Sequence, residues 1–355
     1  MRQLQKEYKR IVVKIGASLI YQEKTGFDEP RIREIVSEIA QLATADNQII
    51  VVSSGAIALG MSILRLHSRP KELSVLQAAA AIGQHELMGM YRMLFKEKGL
   101  SCAQLLLTWE DFANRKRYLN AKNTLSTLIK FGCIPIINEN DTVATEEIKF
   151  GDNDCLSALV ATLINADLLI MLSDVDGLLD NNKKVVQVVE KITPQIKALA
   201  CPTNKRTCVG GMVTKIKAAE IVTASGIPCI IANGRKKNII QSCLSEQYTV
   251  GTIFLPKVTS LTARKRWIGF GAKSKGRVIV DDGAKKAILN NKSLLSVGVL
   301  GLHGDFESGD IVSICDKECR EFARGKVTVT ARQLESIRGR RFENEIVHRD
   351  NIVVL

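Results

Sequence analysis

Six short aliphatic runs recur along the first two thirds of the chain: Ile11–Ile15, Ile49–Val52, Ala103–Leu107, Ile134–Ile137, Leu168–Leu172 and Pro228–Ala232. Each carries apolar residues on both faces, which predicts strands covered on both sides, as inside a parallel sheet. Between them, Arg31–Ala45 sets Ile32, Ile35, Val36, Ile39, Leu42 and Ala43 on one face at helical period. Leu76–Leu94, Leu119–Lys130, Asp154–Leu163 and Thr214–Ala224 repeat that pattern. Strand–helix alternation predicts an α/β domain, an open and mostly parallel sheet sandwiched by helices. The texture changes after Pro256. Helical periods fade, and β-like pieces appear between Gly and Asp turns at Arg277–Val280, Ser296–Leu302, Asp310–Cys315, Gly325–Thr330 and Glu345–Val354. This predicts a first domain over residues 1–256 and a small β-rich second domain over 264–355. The apolar stretch Cys155–Leu172 contains Asn165 and Asp167 and divides into a helix and a strand, so it is not expected to span a membrane.

Composition narrows the class. With 46% apolar and 25% charged residues, a disordered chain, a collagen repeat and a coiled coil are excluded. Aromatics are 5%, so the core must be aliphatic. Lys and Arg outnumber Asp and Glu by 50 to 37, a net charge of +13 that suits an anionic partner such as a phosphorylated small molecule or nucleic acid. The tail from Arg264 onward, with 18 basic and 12 acidic residues, is about twice as basic per residue as the rest. Nine scattered cysteines, an odd number, read as reduced thiols of a cytoplasmic protein rather than a disulfide framework. The charged N-terminus has no apolar block behind it, so no signal peptide is expected.

Ligands of open α/β sheets bind at the carboxyl ends of the strands. The segments that follow the runs are Gly16-Ala17-Ser18, Ser53-Ser54-Gly55-Ala56, Asn138-Glu139-Asn140-Asp141 and Ser173-Asp174-Val175-Asp176-Gly177. Gly210-Gly211-Met212-Val213-Thr214-Lys215 opens a helix. Glycines before a helix start expose backbone N–H groups to an anion, and Lys14 and Lys215 add point charges suited to phosphate. Neither a G-x-x-x-x-G-K-[ST] loop nor a G-x-G-x-x-G turn is present, so the phosphate cradle is of another type. Acids and amides crowd residues 138–154. Asn153 or Asp154 can cap the following helix, but capping accounts for one of them. The remainder suits a zwitterionic substrate, Asp holding its ammonium group and Asn amides and the Ser54 hydroxyl its carboxylate.

These residues carry a resemblance. V-K-I-G-A-S at Val13–Ser18, S-S-G-A-I-A-L-G at Ser53–Gly60, N-E-N-D-T-V-A-T at Asn138–Thr145, G-D-N-D-C-L-S-A at Gly151–Ala158, L-S-D-V-D-G-L at Leu172–Leu178 and G-G-M-V-T-K at Gly210–Lys215 resemble the amino acid kinase family, in its glutamate-phosphorylating branch. The tail resembles the PUA domain appended to many of its bacterial members. The resemblance implies ATP-dependent phosphorylation of the L-glutamate side-chain carboxylate to L-glutamyl 5-phosphate, the first step of proline biosynthesis. It places nucleotide contacts on Lys14, Ser173, Asp174, Val209, Gly210, Gly211, Met212, Val213, Thr214 and Lys215. Glutamate contacts fall on Ser54, Asp141 and Asn153, with Asn138 and Asp152 close by. It further implies Mg²⁺ held mainly by ATP and water, feedback inhibition by proline, a homo-oligomer, and a glutamyl phosphate reductase that takes the product. Two departures fall on the nucleotide side. Cys208-Val209 and Val213 stand where the family carries Gly-Thr and Ser, and Leu179-Asp180-Asn181-Asn182 lacks the family's Tyr and Pro.

A carboxylate acceptor, with a solution pKa of about 4.3, is already ionised at neutral pH and needs no general base. The barrier is repulsion between two anions, so Lys14 and Lys215 are assigned to the transferring phosphoryl group. Asp154 fits two roles, an anion that lets the two lysines converge or a helix cap. In the tail, Arg264, Lys265, Arg266, Lys273, Lys275 and Arg277 surround Trp267 and Phe270, a pattern that suits RNA; a packed tryptophan beneath a solvated basic face accounts for it better. A dual-function or purely RNA-binding protein, and a kinase of another amino acid or small carboxylic acid, are the rival readings.

Overall fold

The computed structural model describes residues 8–22, 26–43, 47–143, 153–200, 211–245, 250–256, 261–272 and 274–355. The chain divides into two units, Met1–Thr108 with Leu119–Ser260, and Trp109–Tyr118 with Leu261–Leu355.

The first unit is built on an eight-stranded sheet. Its strands are β1 (Arg10–Ile15), β4 (Gln48–Ser53), β5 (Cys102–Leu107), β6 (Ile134–Glu139), β7 (Leu168–Ser173), β8 (Val188–Val189), β9 (Cys229–Asn233) and β10 (Thr252–Phe254), ordered β5-β6-β4-β1-β7-β9-β10-β8. A separate small hairpin pairs β2 (Tyr21–Gln22) with β3 (Gly26–Phe27). The six strands from β5 to β9 in that order are parallel, and β10 runs antiparallel to β9. Each of the six predicted runs lies in one of the parallel strands, except that Pro228 precedes β9. The helices are α1 (Glu29–Leu42), α2 (Ala56–Ile63), α3 (Leu73–Glu97), α5 (Arg115–Lys130, which belongs to this unit from Leu119 onward), α6 (Asn153–Leu163), α7 (Pro194–Leu199), α8 (Met212–Ala224) and α9 (Ile239–Leu244). The first starts where the chain dictates. The Asp28 side chain accepts from Arg31 N, and Pro30 supplies the fixed φ of a first turn.

Strand alternation sets the two faces of the sheet. Ile11, Val13 and Ile15 enter the aliphatic core shared with Ile32, Ile35 and Ile39 of α1 and Tyr91 and Phe95 of α3. Lys14 therefore projects to the opposite face, where α6 packs against β1 and α8. On the first face α2 and α3 cross with backbones almost touching. A Cβ at Gly60 would overlap the Ala79 carbonyl, and one at Gly83 the Ala56 carbonyl. Glycine is required at both, and the crossing fixes the height of Gln84 beside β6.

The second unit carries a five-stranded sheet of β11 (Gly276–Val280), β12 (Val299–His303), β13 (Ile311–Cys315), β14 (Glu321–Lys326) and β15 (Ile352–Val354), ordered β12-β11-β13-β14-β15. It also contains α4 (Trp109–Ala113) and α10 (Ala263–Arg266). Two helices fall where the sequence pattern predicted only β pieces and turns. In α11 (Asp282–Leu289) the Asp281 side chain caps Ala284 N, and α12 (Ala331–Ile337) opens with a reciprocal Thr330–Gln333 capping box. At two turns each, they are too short for a periodic signal, and their caps were the legible mark. Trp267 packs beside Ile268, Ile311 and Val353, and its indole N–H donates to Phe112 O at 2.8 Å. This placement matches the packed-tryptophan reading. Among the described residues no helix is long and apolar enough to cross a membrane.

Candidate active site

The carboxyl ends of β1, β4, β6, β7 and β9 lie along one rim because these strands are parallel. At that rim two lysines, 201 positions apart in the chain, share one carboxylate. Lys14 Nζ lies 2.6 Å from Asp154 Oδ1 and Lys215 Nζ 3.2 Å from Asp154 Oδ2. The Thr214 hydroxyl donates to Oδ2 at 2.7 Å. All three charged side chains are buried. Burial alone would raise the Asp154 carboxyl, but the Lys14 and Lys215 charges and the Lys14 and Thr214 hydrogen bonds outweigh it and hold the group at about 2. The helix begins at Asn153, so Asp154 sits inside the first turn, where its charge also complements the helix dipole.

Beside this cluster runs a line of amides. Asn153 Nδ2 is 3.2 Å from Ser53 O, 3.0 Å from Ser54 Oγ and 2.8 Å from Asn138 Oδ1. Asn138 Oδ1 also accepts from Glu139 N at 2.8 Å, and Asn138 Nδ2 donates to Gln84 Oε1 at 2.7 Å. Ser53 Oγ is bonded to the buried Tyr91 hydroxyl at 2.9 Å, which anchors the tip of β4 from below. Gly55, at φ 103°, turns the chain from β4 into α2 and leaves Ser54 at the rim. Asp141 follows β6. Desolvation pushes its carboxyl up to about 6, while the Arg69 charge acts in the opposite direction.

On the other side of β1 the site is more open. Ser173 ends β7 and is buried, whereas Asp174 is exposed. Asp176 pairs with Lys236 at 2.7 Å, and Asn233 donates to it at 3.3 Å. Gly211, at φ 88°, leads into α8, whose first turn holds Met212, Val213, Thr214 and Lys215. Asp152, Val209 and Gly210 lie outside the described residues. Among those described, the structure gathers Lys14, Asp154, Thr214 and Lys215 in one cluster and Ser54, Asn138 and Asn153 in the adjoining one. Sequence reasoning did not single out Gln84, Tyr91 or Arg69. Gln84 and Tyr91 lie within the long amphipathic helix α3, and nothing in its spacing sets them apart.

The chain belongs to the amino acid kinase family: residues 9–233 match that family and residues 276–348 match the PUA domain. Glutamate 5-kinase of Caldanaerobacter subterraneus is 44% identical over 98% of this chain and 98% of its own. That of Syntrophotalea carbinolica is 42% identical over 99% of both, and that of Geobacter metallireducens 43% over 99% of this chain and 98% of its own. The solved N-acetylglutamate synthase from Neisseria gonorrhoeae shares the fold, with a TM-score of 0.54 at 13% identity over 71% of this chain and 60% of that one.

Proposed function

We propose that the protein transfers the γ-phosphoryl group of ATP to the side-chain carboxylate of L-glutamate, forming L-glutamyl 5-phosphate for proline biosynthesis. The observation that carries this reading is the Lys14–Asp154–Lys215 cluster beside the Ser54–Asn153–Asn138 amides. Near-full-length likeness to proteins named glutamate 5-kinase supports it. The acceptor oxygen is already anionic, so the chain supplies position and positive charge. Asp154 holds two ammonium groups together that would otherwise repel, worth roughly 4 kcal/mol for a pair 4 Å apart at an effective dielectric of 20. Lys14 and Lys215 then face the transferring phosphoryl group, one nearer the γ-phosphate and one nearer the leaving oxygen. The first turn of α8 offers backbone N–H groups to the nucleotide, with Ser173 and Asp174 across the rim.

Both oxygens of Asp154 are engaged, so this carboxylate does not fit the role of a metal ligand. A divalent cation, Mg²⁺ in this proposal, takes its ligands from the triphosphate and water and offsets phosphate charge when bound. Proline inhibition, a homo-oligomer, a cytoplasmic location and delivery to a glutamyl phosphate reductase belong to the same proposal.

The full chain, given ATP and Mg²⁺, is expected to form a hydroxylamine-trappable acyl phosphate with L-glutamate, and not with L-aspartate or N-acetyl-L-glutamate. No turnover with glutamate, or preferred turnover of another acid, would overturn the reading.

Asp141 is assigned the substrate ammonium group, and this has a pH signature. A carboxyl held at about 6 must ionise to pair with ammonium, so kcat/KM for glutamate should fall as the pH drops below about 6, with kcat/KM for ATP at saturating glutamate unaffected. In the free protein a raised carboxyl is stabilising below its ordinary 3.8 and loses that contribution as the pH rises through 6. Asp141→Asn is therefore expected to raise the thermal midpoint at pH 8 and to leave it unchanged at pH 4, and to weaken glutamate binding at pH 8 but little at pH 4, where the wild-type carboxyl is itself neutral. Equal loss of ATP and glutamate affinity would count against the assignment.

A further inference from the structure

The amide line has a direction fixed at two points by the backbone. Ser53 O can only accept, so the Asn153 atom beside it is the NH₂ group and Asn153 Oδ1 faces away. Glu139 N can only donate, so the Asn138 atom beside it is Oδ1 and its Nδ2 is the donor to Gln84. Gln84 is thereby oriented with Oε1 consumed and Nε2 left over. Two polar atoms end the line buried and without a hydrogen-bond partner among the described residues, the Asn153 Oδ1 acceptor and the Gln84 Nε2 donor. Natural proteins seldom leave such groups unpaired, and a ligand is one way to satisfy them.

We infer that Gln84 is a specificity-determining substrate residue whose Nε2 donates a hydrogen bond to the α-carboxylate of the acceptor amino acid. This rests on the glutamate reading above and extends it. The position along the line selects which carboxylate. Asn153 adjoins Asp154 and its two lysines, where phosphoryl transfer takes place, whereas Gln84 lies two amides further on, past Asn138. The carboxylate at Gln84 is the one that is not phosphorylated. Asp141, assigned the ammonium group, follows β6, the strand that carries Asn138. Gln84 is held there by the α2–α3 crossing, where its neighbour Gly83 meets the Ala56 carbonyl.

The test uses the full chain with L-glutamate and with its α-amide, which keeps the side-chain carboxylate but replaces the α-carboxylate. Gln84→Met is expected to raise the KM for glutamate about ten- to a hundredfold, the worth of one hydrogen bond to a charged group, with the KM for ATP unchanged. Gln84→Glu puts an acceptor and a negative charge where the donor was. It should lower the ratio of kcat/KM for glutamate to that for the α-amide by a hundredfold or so, since the carboxylate is repelled and the amide N–H is accepted. A wild-type enzyme inactive on glutamate would refute the parent reading. An active wild type whose Gln84→Glu ratio stays within twofold refutes this one, as does a parallel rise in both KM values. If Gln84→Met fails to fold, the Gln84→Glu ratio decides alone.

Discussion

Lys14→Met and Lys215→Met are each expected to lower kcat by about a hundred- to a thousandfold, the usual cost of removing a preorganised charge from a phosphoryl-transfer site. The KM for glutamate should change much less. Neither lysine belongs to the amide line, and each is placed to meet charge that develops during transfer rather than charge on the bound acceptor. Lys14→Arg is not expected to rescue. Lys14 is 6% exposed and its Nζ sits 2.6 Å from Asp154 Oδ1, a slot shaped for a compact ammonium and not for a planar guanidinium. Circular dichroism would establish that each variant is folded, and steady-state kinetics at saturating substrates would give kcat. Near-normal kcat in either methionine variant would remove that lysine from the mechanism. A loss confined to the KM for ATP would make it a binding residue only.

The sheet was legible because parallel strands carry apolar residues on both faces, and such runs announce themselves without any knowledge of what lies beside them. Lys14 was legible as a charge at the carboxyl end of the run Ile11–Ile15. The convergence of Lys14 and Lys215 on Asp154 rested on an electrostatic argument, that like charges need an anion between them. What stayed hidden depends on three-dimensional approach. Gln84 joins the site only because Gly60 and Gly83 let two helices meet at backbone distance. Thr214 contributes a hydroxyl to Asp154 from a helix turn that in sequence reads only as part of a glycine-led motif. Val188–Val189 pairs with β10 as a two-residue edge strand, too short to leave a pattern. The raised carboxyl of Asp141 follows from burial, which no local sequence feature encodes.

Asp154→Asn should cost both rate and stability, and this separates it from the lysine variants. It leaves two buried ammonium groups facing a neutral amide, and breaking a buried ion pair from one side destabilises by about 3–5 kcal/mol. In the wild type the Asp154 carboxyl is held at about 2 instead of 3.8, so its contribution is fully present above pH 3.8 and is lost as the pH falls through 2. The stability gap between wild type and variant should therefore be wide at neutral pH and narrow below pH 3.8. Two further measurements connect the loss to the lysines. ATP supplies the missing negative charge, so it should raise the thermal midpoint of Asp154→Asn by more than it raises that of the wild type. The double variant Asp154→Asn/Lys215→Met removes one cation together with the anion and should be more stable than Asp154→Asn alone, though no more active. An ATP-induced shift no larger than the wild type's, or a double variant less stable than the single, would mean that Asp154 serves the fold by some route other than the two ammonium groups it touches.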